Sequence, residues 1–368
     1  MLKNKDTRRI YINLSNISTG GAIQVAMSFI DHVIYSENNH NFYFLFSSRL
    51  HKEIQKSHLA PFLNKLSYRI ISKRTLFFYF AILQPKKIFT LFGPLYSIKL
   101  LSERDWISGF AQPWILFPKN KVYDELDLIT RLRFKIIFWI QKGFFFNSHT
   151  LIIEHEGIKA KLQELFKRNN IIVAKNCLNQ IFLNPNRWKP IEISKTDKFK
   201  IGVIGRNYIH KNLSIIPSVH DFLEKNHSIK PQFFCTLTST EMNKMSEDFK
   251  KKVISLGELS INQCPDFYNN MDMIFFPSNL ECFSATPLEA LFMNKSIVCS
   301  NLPFNKNIIG KFGVYFEPND PVSAAEKIAS TLENQINGQL KEAKNFVFSN
   351  FKSEDRFKIY INTILKNE

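Results

Sequence analysis

Short apolar runs alternate with longer amphipathic stretches along most of the chain. Such runs predict buried strands, and apolar residues spaced three and four apart predict helices. In the first half of the chain, strands are predicted at Ile10–Leu14, Phe42–Phe46, Tyr68–Ile71, Ile88–Phe92, Trp106–Phe110, Leu151–Glu154 and Ile171–Ala174. Helices are predicted between several of these strands, at Ala22–Tyr35, Leu126–Lys142 and Ile158–Lys167. This alternation is typical of a parallel sheet that helices cover on both faces.

The alternation stops near Asn184–Thr196 and then starts again. Pro185, Pro190 and the polar residues around them predict a linker. Further strands are predicted at Phe199–Gly205, Phe233–Leu237, Val253–Ser255, Met273–Phe276, Ile297–Cys299 and Val314–Phe316, and a basic helix at Phe351–Leu365. We therefore predict an α/β protein with two doubly wound domains, residues 1–185 and 186–350, facing a cleft at the C-terminal ends of their strands. The helix in residues 351–368 is expected to pack back on the first domain.

Composition narrows the class of protein. The chain has 45% hydrophobic and 22% charged residues, which is typical of a globular protein. Its five cysteines form no Cys-x-x-Cys pair, so neither a zinc site nor a disulfide framework is predicted, and a reducing cytoplasmic compartment fits best. No apolar stretch is long enough to span a bilayer. The net charge of +17 implies an anionic partner, such as a nucleotide, an anionic lipid surface or a nucleic acid.

Two glutamates, Glu281 and Glu289, follow the strand predicted at Met273–Phe276. Thr286 is predicted as the N-cap of the next helix, with Pro287 at the first helical position and Glu289 at the third. The loop between the glutamates then presents backbone N–H groups at the positive end of a helix dipole, where a diphosphate binds well. Nearby carboxylates can accept hydrogen bonds from sugar hydroxyls. An ordinary capping box of Thr286 and Glu289 is the alternative interpretation.

Two strand-to-helix loops carry further candidates. Gly20 and Gly21 follow the first strand, and a glycine pair there lets the backbone approach a phosphate or a sugar, although ordinary turn chemistry is the alternative. Arg206 and Lys211 follow the first strand of the second domain, where Arg can bind phosphate bidentately and Lys adds a compact positive charge. For this pair the alternative is a solvated basic loop. His210, beside them, is interpreted as a surface or capping residue.

The run Asn279–Ala290 resembles the E-x7-E signature of retaining GT-B glycosyltransferases of family four, also described as glycosyl transferases group 1. The order and spacing of the motifs agree with this family over Ile201–Ala325. The resemblance implies the GT-B fold, in which a Rossmann-like acceptor domain precedes a Rossmann-like nucleotide-sugar-binding domain. Two features depart from the family pattern. Cys282 and Ser284 replace glycines that are common in the signature, and Trp106–Trp114 lacks the histidine that many members have.

The resemblance also implies roles for individual residues. Glu281 is expected to contact hydroxyls of the donor sugar, and Arg206 and Lys211 to stabilise the diphosphate leaving group; these three are the expected catalytic residues. The expected donor-binding residues are Gly20, Gly21, Phe283, Ser284, Ala285, Thr286 and Glu289. Within this set, Glu289 is expected to hold the nucleotide ribose, and residues 283–285 to offer backbone N–H groups to the phosphates.

By this resemblance, we expect a retaining glycosyltransferase of the hexosyltransferase type. It would move a sugar from a nucleotide diphosphate sugar, its donor substrate, to a saccharide or lipid-linked acceptor in bacterial surface polysaccharide or lipopolysaccharide synthesis. The sequence has no D-x-D motif, so no metal and no separate cofactor are expected. Two alternatives stay open. One is a GT-B nucleotide-sugar epimerase, and the other is a non-catalytic nucleic-acid-binding protein, which gives no reason for the paired glutamates.

The stretch Arg131–Phe146 mixes cations with large apolar residues. A basic amphipathic helix of this kind can lie in the interface of an anionic bilayer. The alternative is a core helix with a solvated stripe. We therefore expect a cytoplasmic protein that binds peripherally to the inner face of the plasma membrane. Its expected partners are the donor, the acceptor and an anionic membrane surface, with no nucleic acid.

Overall fold

The computed structural model describes residues 9–366 except 19, 37–40, 73–74, 77, 81–84, 97–104, 169 and 334–336. The chain divides into two compact units. The first unit comprises Met1–Asn176 and Ser353–Glu368, and the second comprises Cys177–Lys352. Each unit is built around a parallel sheet of its own.

The first unit has a seven-stranded sheet. Its strands are β1 (Ile10–Leu14), β2 (Phe42–Phe46), β3 (Ser67–Ile70), β4 (Lys87–Thr90), β5 (Asp105–Phe110), β6 (Thr150–Ile153) and β7 (Ile171–Val173). They pair in parallel in the order β3-β2-β1-β4-β5-β6-β7. The described helices before residue 176 are α1 (Gly20–Ile34), α2 (Ser48–Gln55), α3 (Pro113–Leu116), α4 (Leu128–Phe146) and α5 (Lys159–Phe166).

The second unit has a six-stranded sheet. Its strands are β8 (Phe199–Val203), β9 (Pro231–Cys235), β10 (Val253–Ser255), β11 (Met273–Phe276), β12 (Ser296–Ser300) and β13 (Val314–Phe316). They pair in parallel in the order β10-β9-β8-β11-β12-β13. Its described helices are α6 (Ile216–His227), α7 (Ser239–Met242), α8 (Glu247–Lys252), α9 (Cys264–Asn270), α10 (Thr286–Phe292), α11 (Pro303–Ile309), α12 (Pro321–Glu333) and α13 (Asn337–Asn350).

The central strands are mostly apolar and buried, as expected where helices cover both faces of a parallel sheet. Every residue of β1 and of β11 is buried. In the second sheet the strand order changes direction between β8 and β11. Loops after two such strands run to opposite faces and leave a crevice at their carboxyl ends, which is where α/β sheets bind ligands.

The helix α14 (Ser353–Leu365) belongs to the first unit. The rings of Phe29, on α1, and Tyr360, on α14, have centroids 5.8 Å apart. The guanidinium of Arg356 donates to Asn176 Oδ1 over 2.7 Å, and both side chains are buried. The chain therefore leaves the first unit after Asn176 and returns to it at α14.

The α/β architecture predicted from the hydrophobic pattern is confirmed, and each predicted strand end lies within two residues of the observed one. The prediction of a linker at Asn184–Thr196 is wrong, because this stretch lies inside the second unit. Trp188 Nε1 donates to the Ile181 carbonyl over 2.7 Å, and the Ile191 N–H donates to Asp266 over 2.8 Å. The segment has no regular periodicity because it is irregular, with prolines, yet Trp188, Ile191 and Ile193 pack against the core of the second unit.

Candidate active site

The loop after β8 is held in place by its backbone. Gly205 has a φ of +148°, a conformation that L side chains rarely adopt. Its N–H donates to Thr236 Oγ1 over 3.0 Å, and the Thr236 hydroxyl donates to the Gly205 carbonyl over 3.1 Å. A short 3-10 turn, Ile209–Lys211, follows, and Asn212 ends it in the left-handed conformation. These constraints fix the backbone from which the two predicted cations project.

Arg206 lies between two glutamates. Its Nη2 is 3.0 Å from Glu241 Oε2, and its Nη1 is 3.4 Å from Glu258 Oε1. The contact of Nη1 with Glu258 is a long ion pair and not a hydrogen bond, so among the described residues this buried donor keeps the capacity to bond an acceptor that a ligand brings. Glu241 also accepts from the N–H groups of Thr238 and Asn207. Burial raises the pKa of Glu241, but these hydrogen bonds and the guanidinium charge outweigh burial and lower the pKa overall.

Lys211 and Glu281 form the second ion pair of the site. Lys211 Nζ lies 2.5 Å from Glu281 Oε1. The Ser278 hydroxyl donates to the same carboxylate oxygen over 2.8 Å. Lys211 Nζ also lies 5.1 Å from the centre of the Phe276 ring, within the range of a cation–π interaction. Because Lys211 follows β8 and Glu281 follows β11, the pair joins the two loops where the strand order changes direction.

The backbone of His210 connects the same two loops. Its carbonyl accepts from the Asn279 N–H over 2.7 Å and from the Ser278 hydroxyl over 3.1 Å. The ring stacks on Tyr208, with centroids 5.5 Å apart. Burial lowers the pKa of His210, which favours the neutral imidazole. The sequence indicated a surface or capping residue at His210; its side chain is partly buried, and its backbone carbonyl anchors the loop after β11.

Glu289 lies in α10 and not in its cap. The helix begins at Thr286, and its N-cap is Ala285, which makes no side-chain cap hydrogen bond. The prediction of Thr286 as N-cap is therefore wrong by one residue, and the alternative of a capping box with Glu289 fails with it. Glu289 is only 3% exposed and accepts a hydrogen bond from the Tyr268 hydroxyl over 2.6 Å. Burial raises the pKa of Glu289 to about 7, and the hydrogen bond from Tyr268 opposes this increase.

The remaining predicted donor-binding residues lie in two places. Phe283, Ser284 and Ala285 precede α10, and the first two of them are buried, with Phe283 in the core of the second unit. Gly20 and Gly21 open α1 in the first unit and are exposed. Gly20 has a φ of +52°, and an added Cβ at either glycine would meet nothing within 4 Å among the described residues.

Sequence reasoning missed Glu241 and Tyr268. Thr238-x-x-Glu241 is a readable capping-box pattern, and the structure forms that box at the start of α7. Nothing in the pattern showed that Glu241 also binds Arg206. Tyr268 gave no signal, because its contact with Glu289 depends on how α9 packs against α10.

One group of side chains in the described part of the chain has the geometry of a metal site. His220, Asp221 and Glu224 lie together on α6. Lys252 Nζ lies 2.8 Å from Asp221 and also pairs with Asp248, so an ammonium group already neutralises this acidic cluster. None of these residues belongs to the ion pairs of Arg206 or Lys211.

Comparison with known proteins identifies related sequences. Residues 185–353 match the model of the family described as glycosyl transferases group 1. The capsular polysaccharide biosynthesis glycosyltransferase CapM of Staphylococcus aureus is 24% identical over 226 residues, covering 57% of this chain and 59% of CapM. The O-antigen chain mannosyltransferase RfbU of Salmonella typhimurium is 23% identical over 188 residues, covering 48% of this chain and 50% of RfbU. The chain thus spans between half and three-fifths of the curated relatives it matches.

Solved structures share the fold over the whole chain. A glycosyltransferase from Rickettsia africae has a TM-score of 0.66 at 14% identity, covering 99% of this chain and 100% of that one. Anabaena HepE, solved with UDP-glucose, has a TM-score of 0.70 at 11% identity, covering 96% of this chain and 98% of that one. These likenesses confirm the predicted two-domain α/β fold of the GT-B class. Residues 185–353 thus match the glycosyl transferases group 1 family, as the motifs in this part of the chain predicted.

Proposed function

We propose that the protein is a glycosyltransferase that moves a sugar from a nucleotide diphosphate sugar to a saccharide or lipid-linked acceptor. The observation that carries the proposal is the pairing of Lys211 with Glu281 at the strand switch point, beside Arg206. Both cations follow β8, and the glutamate follows β11. Because the cations and the glutamate lie close together, they could bind the diphosphate and the sugar hydroxyls of one donor molecule at the same time.

The two cations would act on the leaving group. As the bond between sugar and diphosphate breaks, negative charge develops on the departing nucleotide. Arg206 Nη1 is a buried donor whose contact with Glu258 among the described residues is an ion pair of 3.4 Å, and a phosphate oxygen would give it a shorter hydrogen bond. Lys211 would bring a second positive charge. Each cation is held by a glutamate before the donor arrives, so little reorganisation is needed during the reaction.

The glutamates would orient the donor. Glu281 would accept hydrogen bonds from hydroxyls of the transferred sugar, and Glu289 from the nucleotide ribose. Phe283, Ser284, Ala285 and Thr286 would complete the donor site of the second unit, and the family pattern also gives Gly20 and Gly21 a role in donor binding. For these residues the support is the family pattern.

Retention of the anomeric configuration and independence from metal belong to the same proposal. The family signature supports retention. The two cations support metal independence, because they supply the positive charge that a metal ion gives to a diphosphate in other transferases. A role in bacterial surface polysaccharide or lipopolysaccharide synthesis is supported by the names of the relatives CapM and RfbU. The protein would work in the cytoplasm, where nucleotide sugars are made.

A thermal-shift panel of nucleotide sugars tests the proposal first. A ligand at about 100 times its Kd adds roughly 2.7 kcal/mol to stability, which is readily measured. The best donor is then incubated with oligosaccharide and lipid-linked acceptors, and NMR of the product gives its anomeric configuration. An inverted product would contradict retention. Conversion of the donor alone into another nucleotide sugar would indicate an epimerase, and stabilisation by polynucleotide alone would contradict both enzyme assignments.

A further inference from the structure

The helix α4 is anchored to the first unit by one row of aromatic side chains. Phe134 and Phe138 both pack on Trp114, with ring centroids 5.2 Å and 5.7 Å away. Further along the helix, the buried ring of Phe145 packs on Phe110 at 4.9 Å. These contacts fix which side of α4 faces the unit, so the opposite side faces outward.

The outward side of α4 is apolar. Leu128 and Ile129 are each 82% exposed, Leu132 is 60% exposed and Trp139 is 76% exposed. Ile136 and Ile140 are also exposed and lie on the same side, at helical spacing. A core helix with a solvated stripe would instead present polar residues to water, so that interpretation of the sequence is wrong. An apolar surface formed by six exposed side chains on one side of a helix marks an interaction site.

Cations border this apolar surface on both sides. At about 100° per residue, Lys135 and Lys142 lie along one edge of the exposed row and Arg133 along the other. Arg131 lies further round, where it pairs with Asp124 at 3.3 Å. Residues 128–146 contain no Asp or Glu. The helix therefore combines an apolar face with exclusively positive borders.

We propose that α4 binds the surface of an anionic bilayer, lying in the plane of the membrane. Its apolar row enters the boundary between headgroups and acyl chains, where Trp139 finds the amphipathic setting that tryptophan prefers. Arg133, Lys135 and Lys142 contact the anionic headgroups. Within the described part of the chain, no helix has the length and apolar character needed to cross a membrane.

An anionic lipid surface fits α4 better than a second copy of the chain. Two copies joined through this face would bring their Lys and Arg borders together, and each chain already carries a net charge of +17. Lipid headgroups instead supply the opposite charge. This inference is independent of the proposed function, although it would bring the enzyme to the surface on which lipid-linked acceptors lie.

Vesicle binding tests the proposal on the full chain. Co-sedimentation is measured with phosphatidylcholine vesicles and with vesicles that also contain phosphatidylglycerol. The wild-type protein should bind the anionic vesicles and release them as salt rises, because screening shortens the reach of surface charges. Its tryptophan emission should shift to the blue on binding. Trp139→Phe should remove most of that shift while binding persists, since Phe keeps the side chain apolar.

Two sets of substitutions separate the apolar and ionic contributions. The apolar variant carries Leu132→Ser, Ile136→Ser and Trp139→Ser. Its partition coefficient into vesicles should be lower by about tenfold or more, because three apolar side chains no longer enter the bilayer. The border variant replaces the three border cations, as Arg133→Gln, Lys135→Gln and Lys142→Gln. Its partition coefficient into anionic vesicles should be lower by about tenfold or more. The matched control changes three exposed lysines of the second unit, as Lys225→Gln, Lys230→Gln and Lys327→Gln, and should leave binding nearly unchanged.

All the substituted side chains on the apolar face are exposed, so the fold should survive, and thermal unfolding checks this. The proposal is overturned if the apolar variant binds anionic vesicles as the wild type does. It is also overturned if the lysine control loses as much binding as the border variant. Sedimentation velocity gives a third test: a dimer that the serine variant dissociates would make α4 an interface between copies of the chain.

Discussion

The hydroxyl of Tyr268 donates a 2.6 Å hydrogen bond to Glu289, and both side chains are buried in the second unit. The contact joins α9 to α10. Because water is excluded, the charged form of Glu289 is disfavoured, and the pKa rises to about 7. A residue expected to hold the nucleotide ribose therefore changes charge near neutral pH.

The first prediction concerns stability against pH. The folded state holds the Glu289 proton more tightly than the unfolded chain, whose glutamate titrates near 4.5. The contribution of Glu289 to the free energy of unfolding is thus largest below pH 4.5, and it is lost as the pH rises to about 7. Glu289→Gln cannot ionise, so wild type should lose roughly 3 kcal/mol relative to this variant across that window. Urea unfolding of both proteins at several pH values between 4.5 and 8 measures the difference.

Tyr268→Phe is the matched control for this prediction. It removes the hydrogen bond that lowers the pKa of Glu289, so the loss of stability should extend to higher pH. A difference between wild type and Glu289→Gln that stays constant from pH 4.5 to pH 8 would contradict the raised pKa.

The second prediction concerns the two cations. Arg206→Ala and Lys211→Ala should each lower turnover by about 10²–10³, the effect of removing one electrostatic stabiliser of a transition state. Lys225→Ala removes an exposed lysine of α6 and should leave turnover unchanged. Steady-state kinetics with the donor found in the thermal-shift panel measures the effect. Near wild-type turnover in both variants would remove the two residues from the mechanism.

The third prediction concerns Glu241 as a positioning residue for Arg206. Glu241→Gln weakens the contact that holds the guanidinium, and turnover should fall by about tenfold or more, since small misplacements are costly in catalysis. In an Arg206→Ala background the same substitution should have almost no further effect on turnover. The matched control Glu247→Gln changes an exposed glutamate of α8 in the same way and should leave turnover unchanged. Additive losses in the double variant would rule out the positioning role.

The fourth prediction concerns metal. If Arg206 and Lys211 neutralise the diphosphate, turnover should persist in an excess of EDTA. The measurement is the initial rate with and without chelator, followed by addition of Mg²⁺ or Mn²⁺. Complete loss of activity that either ion restores would contradict metal independence while leaving transferase activity itself intact.

The sequence was sufficient for the fold because strands buried on both faces leave a strong signal. A short run of apolar residues such as β11 is best explained as a central strand of a parallel sheet. The interval Asn184–Thr196 was misjudged for the opposite reason, because Trp188 and Ile191 anchor a segment without regular structure. Periodicity carries no information about such packing.

The candidate site was only partly predictable. Motif spacing identified Arg206, Lys211 and Glu281, and the strand order explains how two distant loops bring them together. The contacts of Glu241 with Arg206 and of Tyr268 with Glu289 are tertiary. They depend on which helix faces which strand, and neither residue belongs to a motif that spans both partners.

The excursion of the chain from Cys177 to Lys352 also sets an order of events during synthesis. The ribosome completes the whole second unit before it makes α14. Until then, Phe29 and its neighbours on α1 lack the cover that Tyr360 provides. The first unit therefore keeps apolar surface exposed during synthesis, even after all strands of the second unit have been made. Chaperones and proteases should then act mainly on the first unit, although it is translated first.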